Sequence, residues 1–362
     1  MNSNQTVITG VGTVSPFGPL RGLISRELIN RREMQPRTVT AWPTDRVRRA
    51  FLVEPFRPAD VVPGLKTRRL DRLSVWCLVA AALAIEDARL DLKMEDRTRL
   101  AVVFGTGFGC IELTEDFFRS IVANGYAKAD PITFPESLTN APAGHVARIF
   151  GLRGPNITLS HKGVSGEGAL IQADSLLRSG QADAAIVLAG DTLTRTMYEW
   201  YEAAGALSSA CFDQALAPAG RDGFVPGESA TAVVLESGLR ARGRGAAVYA
   251  GFRSGFMASD PKASVSIARK ALADSSPSDV RMVIGSANGS SALDAAEEAT
   301  IAGVFGGEAP GIAPKAFLGE SDGSGILRLI AALSWAEKNG RPLAILLGSS
   351  TRGCAALSFD LP

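Results

Sequence analysis

Short segments of almost unbroken apolar residues recur along the chain, and glycine or proline follows most of them. Such runs are typical of strands covered on both faces, as in parallel sheets, because a strand with one wet face alternates apolar and polar residues. Strands are therefore predicted at residues 6–16 (with the loop that follows), 99–104, 157–159, 184–189, 230–235, 246–250 and 343–347, and residues 280–289 are predicted as a strand running into a Gly/Ser loop.

Helical spacing of apolar residues fills the intervals between these strands. Residues 71–88 predict a helix with so little polar surface that it should lie between layers. A helix is also predicted after residue 163. It ends at Ser179-Gly180, and its apolar face comprises Ala169, Leu170, Ala173, Leu176 and Leu177. Further helices are predicted at residues 112–123, 143–150, 265–272 and 323–337, whereas residues 17–70 are irregular. The second half repeats the order of the first, which indicates an α/β fold of stacked sheets with helices between and outside them.

The turn between residues 159 and 170 has the form in which α/β enzymes present a nucleophile. An apolar strand enters a tight turn containing Gly163, Gly166 and Gly168, and a buried helix follows. The N-terminus of such a helix offers unpaired N–H groups and a partial positive charge to the reacting group. A cysteine or serine is expected at the apex, but Gly163 stands there, and glycine has no side chain with which to attack.

Composition excludes several classes of function. The 38 Lys and Arg residues and 37 Asp and Glu residues leave a net charge of +1, so no overall field steers nucleic acid or an anionic membrane. The basic clusters at 46–49 and 66–72 are interpreted as solvated faces, with docking of an acidic protein as the alternative.

Cysteine usage and hydropathy indicate a cytoplasmic protein. The four cysteines contain no CxxC pair, which fits a reducing compartment and argues against disulfides or a thiolate metal site. The first residues lack the features of a signal peptide, and the longest low-polarity run, residues 74–85, is too short to span a bilayer. No metal or other cofactor is expected.

Several motifs, spread over nearly the whole chain, together resemble the β-ketoacyl synthase (thiolase-fold condensing enzyme) family. They are residues 7–16 (VITGVGTVSP), 139–145 (TNAPAGH), 150–156 (FGLRGPN), 221–228 (RDGFVPGE), 288–291 (NGSS) with Asp294 and Glu297, and 315–319 (KAFLG). The resemblance implies a duplicated αβαβα layered fold, with residues 1–240 and 241–362 as its two halves in one compact unit. It also implies dimers built through the sheet of the first half, and acyl groups delivered by acyl carrier protein.

The same resemblance implies a catalytic cysteine and two histidines, and this chain has none of them. The cysteine position falls on Gly163, the histidine positions fall on Asn288 and Glu320, and only the lysine is retained, as Lys315. The glycine loop near the C-terminus is replaced by residues 348–353 (GSSTRG). Such a chain resembles a chain length factor, a subunit that pairs with an active ketosynthase as a heterodimer and shapes its acyl tunnel. By this resemblance, Phe108, Ile111, Leu113 and Phe117 are the candidate tunnel and interface residues.

Two other functions remain open from the sequence. One is an acyltransferase or hydrolase that uses a displaced nucleophile, either Ser165 with His161 or Cys110. The other is a homodimeric protein that binds acyl chains or acyl carrier protein. His145 is interpreted as a hydrogen-bonded structural residue.

Overall fold

The computed structural model describes residues 5–25, 28, 37–39, 49–208, 223–306, 311–334 and 343–362. Parts of several predicted features lie outside these ranges, namely residues 46–48, 221–222 and 335–337. The described strands are β1 (Thr6–Ser15), β2 (Gly18–Arg21), β3 (Arg37–Thr38), β4 (Arg49–Ala50), β5 (Leu100–Gly105), β6 (Asn156–Leu159), β7 (Ala184–Asp191), β8 (Ser229–Ser237), β9 (Ala250–Ala258), β10 (Val280–Ile284), β11 (Gly311–Ile312), β12 (Leu343–Ser350) and β13 (Gly353–Asp360).

The helices alternate with these strands in both halves. They are α1 (Pro58–Val61), α2 (Arg72–Asp87), α3 (Ile111–Asn124), α4 (Thr133–Glu136), α5 (Ala141–Phe150), α6 (Ser165–Arg178), α7 (Arg195–Ala203), α8 (Gly238–Gly243), α9 (Ser264–Leu272), α10 (Ser291–Phe305), α11 (Lys315–Leu318) and α12 (Gly325–Leu333). None of the helices within the described ranges has the length and apolarity needed to cross a membrane.

The two halves have the same sheet topology. The strand order is β6-β5-β7-β8-β1 in the first half and β11-β10-β12-β13-β9 in the second. In each half the first three strands of that order are parallel to one another. The fourth strand is antiparallel to both of its neighbours, the third and the fifth. The halves are joined where Thr6, Val7 and Ile8 pair with Phe252, Gly251 and Ala250, so the predicted stacked sheets form one continuous hydrogen-bonded sheet.

The layers follow from which faces are apolar. Helices α6 and α12 lie between the two halves of the sheet, and their apolar residues form one core with the inner faces of both halves. On the outer face of the first half, α2 and α5 pack against β5, β7 and β8. On the outer face of the second half, α9 packs with residues of α10 against β10, β12 and β13. The α/β class with a thiolase-like layered arrangement is thus confirmed.

Three details of the predicted elements differ from the structure. The strand predicted at 246–250 is a loop up to residue 249, and β9 begins at Ala250, because glycines and polar residues in 250–258 hide its strand pattern. The strand predicted at residues 343–347 is present as β12, but a further strand, β13, follows it and was not predicted. Helices α7 and α10 were not predicted. The prediction that helix α2 lies between layers is confirmed, because it is buried between the sheet and α5.

Candidate active site

The turn before α6 is held by backbone hydrogen bonds that converge on Ser165. The Ser165 hydroxyl accepts from the N–H of His161 (2.9 Å) and lies within donating distance of the carbonyl oxygens of Lys162 (2.7 Å) and Thr106 (3.0 Å). Lys162 adopts a φ of 51°, a left-handed conformation that is unusual for a residue with a side chain. Gly163 follows; it is buried and lies two residues before Ser165, the first residue of α6.

The space beside Gly163 is closed by two other parts of the chain. A Cβ atom built at this residue would lie 3.1 Å from the carbonyl oxygen of Ser349 and 3.2 Å from the Cβ of Ser350. It would also lie 3.7 Å from Oδ1 of Asp322. The end of β12 and the loop after α11 therefore pack against the apex of the turn, where the resembled enzymes carry their nucleophile.

Glu320 is the centre of a hydrogen-bonded network beside this turn. Its two carboxylate oxygens each lie 2.8 Å from Nζ of the buried Lys315, and Oε2 accepts from Nδ2 of Asn288 at 2.6 Å. The loop that carries Asn288 is held in turn by Asp294, which accepts the N–H groups of Asn288 (2.9 Å) and Gly289 (3.0 Å). The charge of Glu320 is thus neutralised within the site.

Two further carboxyl groups lie at the bottom of the site. Asp191, at the end of β7, accepts from the Thr106 hydroxyl (2.7 Å) and from the N–H groups of Gly107 and Phe108, while burial raises its pKa. Burial also raises the pKa of Asp322 to about 7, and the charges of Asp191 and Glu320 contribute in the same direction. No hydrogen bond to the Asp322 carboxyl comes from any residue that the structure describes.

A cleft of about 680 Å³ opens above these groups. Aromatic and apolar side chains line it together with charged and polar groups. The lining residues that define it are Phe108, Ile111, Met197, Trp200, Tyr201, Phe224 and Leu293 in the first set, and Lys162, Gly163, Asn288, Glu320, Asp322, Ser349 and Arg352 in the second. An apolar cavity with a few convergent polar groups is the usual form of a small-molecule site.

The structure brings together only part of the predicted set. Gly163, Asn288 and Glu320 all line the cleft, with Lys315 behind Glu320. The four predicted tunnel residues are divided: Phe108 and Ile111 line the cleft. Leu113 and Phe117 do not line it.

Leu113 and Phe117 lie on other faces of α3. The N–H of Leu113 donates to Asp71, and the Phe117 ring packs on the ring of Phe134 with centroids 5.5 Å apart. Successive helical positions are separated by about 100°. Leu113 is therefore directed away from Ile111, two positions earlier.

Neither displaced nucleophile is placed to react. The Ser165 hydroxyl is buried and engaged with three backbone groups, and its contact with His161 is to the backbone N–H rather than to the ring. Cys110 is buried, and its Sγ lies 3.7 Å from Oγ of Ser74. Burial raises the pKa of the Cys110 thiol, so the thiol stays protonated. His145 contacts Glu136 and Arg148, in keeping with a structural role.

Sequence reasoning missed the aromatic residues of the cleft and Asp322. Trp200, Tyr201 and Phe224 come from α7 and from a loop before β8, and only tertiary packing places them in the same cleft as residue 163. Asp322 had a local signal, since it is an acidic residue two positions after Glu320 in a segment that otherwise becomes buried. Among the described residues, no group of three or more His, Cys, Asp or Glu side chains is arranged to hold a metal ion.

Comparison with known proteins gives a consistent set of relatives. Residues 5–241 match the model of the β-ketoacyl synthase N-terminal domain. The chain is 30% identical over 261 residues to the 3-oxoacyl-[acyl-carrier-protein] synthase 2 of Staphylococcus aureus (strain COL), and 29% identical over 259 residues to that of Vibrio harveyi. These matches cover 68% and 69% of this chain, but only 61% and 62% of the relatives' own lengths.

Solved structures are similar over the entire chain. A β-ketoacyl synthase from Burkholderia phymatum STM815 superposes with a TM-score of 0.86 at 20% identity, covering 99% of this chain and all of that one. The ishigamide ketosynthase/chain length factor superposes with a TM-score of 0.85 at 22% identity, covering 100% of both chains. At these identities the likeness concerns the fold.

Proposed function

The chain belongs to the β-ketoacyl synthase family, and we propose that it acts there as a non-catalytic subunit that pairs with an active β-ketoacyl synthase and shapes the acyl tunnel of that partner. This is the role of a chain length factor. The acyl chain reaches the pair on an acyl carrier protein that docks through the active partner, in polyketide or fatty-acid-like synthesis.

The replaced side chains around the turn carry the proposal. Condensation requires a thiolate that accepts the acyl chain and donors that stabilise the enolate and the oxyanion. Gly163 has no side chain, Asn288 is an amide that cannot exchange a proton, and Glu320 is a carboxylate already paired with Lys315. Losing one member of such a set costs several powers of ten in rate, so three replacements leave no competent synthase.

An exposed apolar surface on α3 and α4 supports pairing with another chain. Phe118 is 59% exposed, Val122 is 86% exposed, and Ile132 and Phe134 lie nearby in sequence with half or more of their surface exposed. Several exposed apolar side chains on two helices that contact each other are typical of interfaces between proteins.

The edge of the sheet in the first half also supports pairing with another chain. β6 ends the strand order and pairs on one side only, with β5, within the described part of the sheet. An unpaired edge strand is a template for a strand of another chain. The edge and the apolar surface belong to the first half, where the family resemblance expects the dimer contact.

The position of α3 supports a role in the tunnel. Its N-terminal residue Ile111 lines the cleft, and Phe117, farther along the same helix, packs with Phe134 beside the exposed apolar surface. A helix that connects a cleft with a partner surface can place bulky side chains where the partner's tunnel ends. The similarity to a ketosynthase/chain length factor agrees with this proposal at the level of the fold.

Co-expression tests the proposal. The tagged chain is produced with the ketosynthase encoded nearest to it, purified, and its mass measured by light scattering. We expect a one-to-one heterodimer that condenses acyl groups, and no condensation by the tagged chain alone. A stable homodimer that ignores the ketosynthase would contradict the proposal.

Surface variants locate the contact. Phe118→Glu and Val122→Glu place a charge on the exposed apolar surface, and we expect both to abolish co-elution because the charge would be buried without a partner. Leu239→Glu is the matched control, since Leu239 is 62% exposed on α8, outside this surface. Equal effects of all three variants would argue against an interface on α3 and α4.

A further inference from the structure

The Asp322 carboxyl is an unused charged group among those that line the cleft. Its neighbours are satisfied, since Glu320 is bound by Lys315 and Asn288, and Asp191 accepts several N–H and O–H donors. Asp322 itself receives no hydrogen bond and no ion pair from the residues that the structure describes. Its Oδ1 lies 3.7 Å from the position that a Cβ of Gly163 would take, so it faces the former place of the nucleophile.

Three cations lie near Asp322, but among the described residues none donates a hydrogen bond to its carboxyl group. The charges of Lys315 and Lys162 lower its pKa, and Arg352 lines the same cleft. Asp191 from β7 and Glu320 from the loop after α11 both raise its pKa. Lys315 is held by Glu320, and Lys162 donates to the carbonyl oxygen of Gly107 (3.2 Å) while its ammonium lies 4.0 Å from the centre of the Phe108 ring. From α7, the Tyr201 hydroxyl has its pKa raised by burial and by these carboxylates, so it stays neutral.

The aromatic residues that line the same cleft as this carboxyl are suited to cations. Phe108, Trp200, Tyr201 and Phe224 line the same cleft, with ring centroids 5.3 Å apart for Trp200 and Tyr201 and 5.1 Å apart for Tyr201 and Phe224. Aromatic faces attract ammonium groups, and Lys162 already uses the face of Phe108 in this way. Aromatic rings together with an unpaired carboxylate are the chemistry that recognises a protonated amine.

We propose that the cleft binds a ligand with an apolar body and a protonated amine, and that Asp322 is the counter-ion of that amine. The apolar body packs on the aromatic residues, and the amine donates to the Asp322 carboxylate beside Gly163. The proposal concerns the cleft of the single chain and does not depend on pairing with a ketosynthase.

Calorimetric titration of the full-length chain with three probes of equal chain length tests this. The probes are n-octylamine, 1-octanol and sodium octanoate. At about pH 8 we expect the amine to bind about tenfold more tightly than the alcohol, which is the effect of one charge-assisted hydrogen bond, and the carboxylate to bind most weakly. Affinity for the amine should rise between about pH 6 and pH 8, because Asp322 loses its proton in that range.

Two variants distinguish a specific counter-ion from general attraction. Asp322→Asn should bind amine and alcohol equally and lose the pH dependence. Asp116→Asn is the matched control, because Asp116 lies on α3 outside the cleft and pairs with Arg119; this variant should keep the preference for the amine. The proposal is overturned if the parent chain binds the alcohol as tightly as the amine, if it binds none of the probes, or if Asp322→Asn keeps the preference. Because heterodimer formation is measured separately, failure here leaves the proposed pairing untouched.

Discussion

Glu167 on α6 and Arg328 on α12 form an ion pair in which neither side chain is exposed to solvent. The pair joins the central helices of the two halves, and Arg328 also donates to the carbonyl oxygens of Gly285 and Leu347 at 2.7 Å each. Removing one partner of a buried pair leaves an uncompensated charge, whereas replacing both is often neutral.

We therefore expect Arg328→Met to lower the free energy of unfolding by about 3 kcal/mol or more. The double variant Arg328→Met with Glu167→Leu should recover most of this loss. Urea denaturation of the parent, both single variants and the double variant gives the coupling energy. Additive losses in the double variant would show that the two side chains do not act as a pair.

Restoring the three replaced residues should not restore catalysis. Gly163→Cys, combined with Asn288→His and Glu320→His, supplies the missing side chains, but the new Cβ would lie 3.1 Å from the carbonyl oxygen of Ser349. We expect malonyl decarboxylation no faster than in the parent chain, measured by release of carbon dioxide. Turnover above the parent level would mean that side-chain loss alone silenced the site.

The close contacts that a side chain at residue 163 would make should also lower the stability of the protein. Gly163→Ala should cost about 1–3 kcal/mol through overpacking. Gly144→Ala is the control of opposite sign, because a Cβ there meets no atom within 4 Å and alanine is favoured over glycine in a helix by about 0.5–1 kcal/mol. Thermal or urea denaturation measures the stability change of each variant. If the two variants behave alike, the space beside Gly163 is open.

Product length tests the tunnel residues in the heterodimer. Phe108→Ala or Phe117→Ala should lengthen the product, since removing a phenyl ring lets the acyl chain extend further before the tunnel ends. Phe117 does not line the cleft of this chain either, but it packs on Phe134 beside the exposed apolar surface. Leu113→Ala is the control on the same helix, because the N–H of Leu113 donates to Asp71 on another face. Mass spectrometry of the released products is the measurement, and an unchanged distribution for both phenylalanine variants would contradict the assignment.

Asp71 should make stability depend on pH. Burial raises its pKa from 3.8 to about 6, so the folded state holds this proton more tightly than the unfolded state. The resulting stabilisation is present below about pH 4 and is lost as pH rises through about 6, a change of up to about 3 kcal/mol. Asp71→Asn keeps an acceptor for the N–H of Leu73 but has no charge to bury. The variant should gain stability relative to the parent from about pH 4 to pH 8. Urea denaturation measures the free energies of unfolding of the variant and the parent. A difference between them that stays constant across that range would contradict the prediction.

The positions of the turn residues followed from the sequence because each lies directly after a strand or a short motif. Gly163 stands in a strand–turn–helix pattern that the sequence shows by itself, whereas Asn288 was placed by the motif that resembles the family. Asp322 and Trp200 needed tertiary packing to reach the same cleft, and no periodicity encodes that approach. Leu113 was grouped with Ile111 by nearness in sequence, whereas helical rotation separates them. The strand β9 was predicted too early in the sequence, because its buried Phe252 stands among glycines and polar residues.

The pairing of β1 has a consequence for synthesis of the chain. Thr6 pairs with Ser237 on one side and with Phe252 on the other, so β1 leaves the ribosome long before these partners are made. Contacts so distant in sequence slow folding and leave an apolar strand unpaired in the growing chain. The nascent protein should therefore depend on chaperones until residue 258 has emerged, and ribosome-bound chains that end before β9 should remain sensitive to protease at β1.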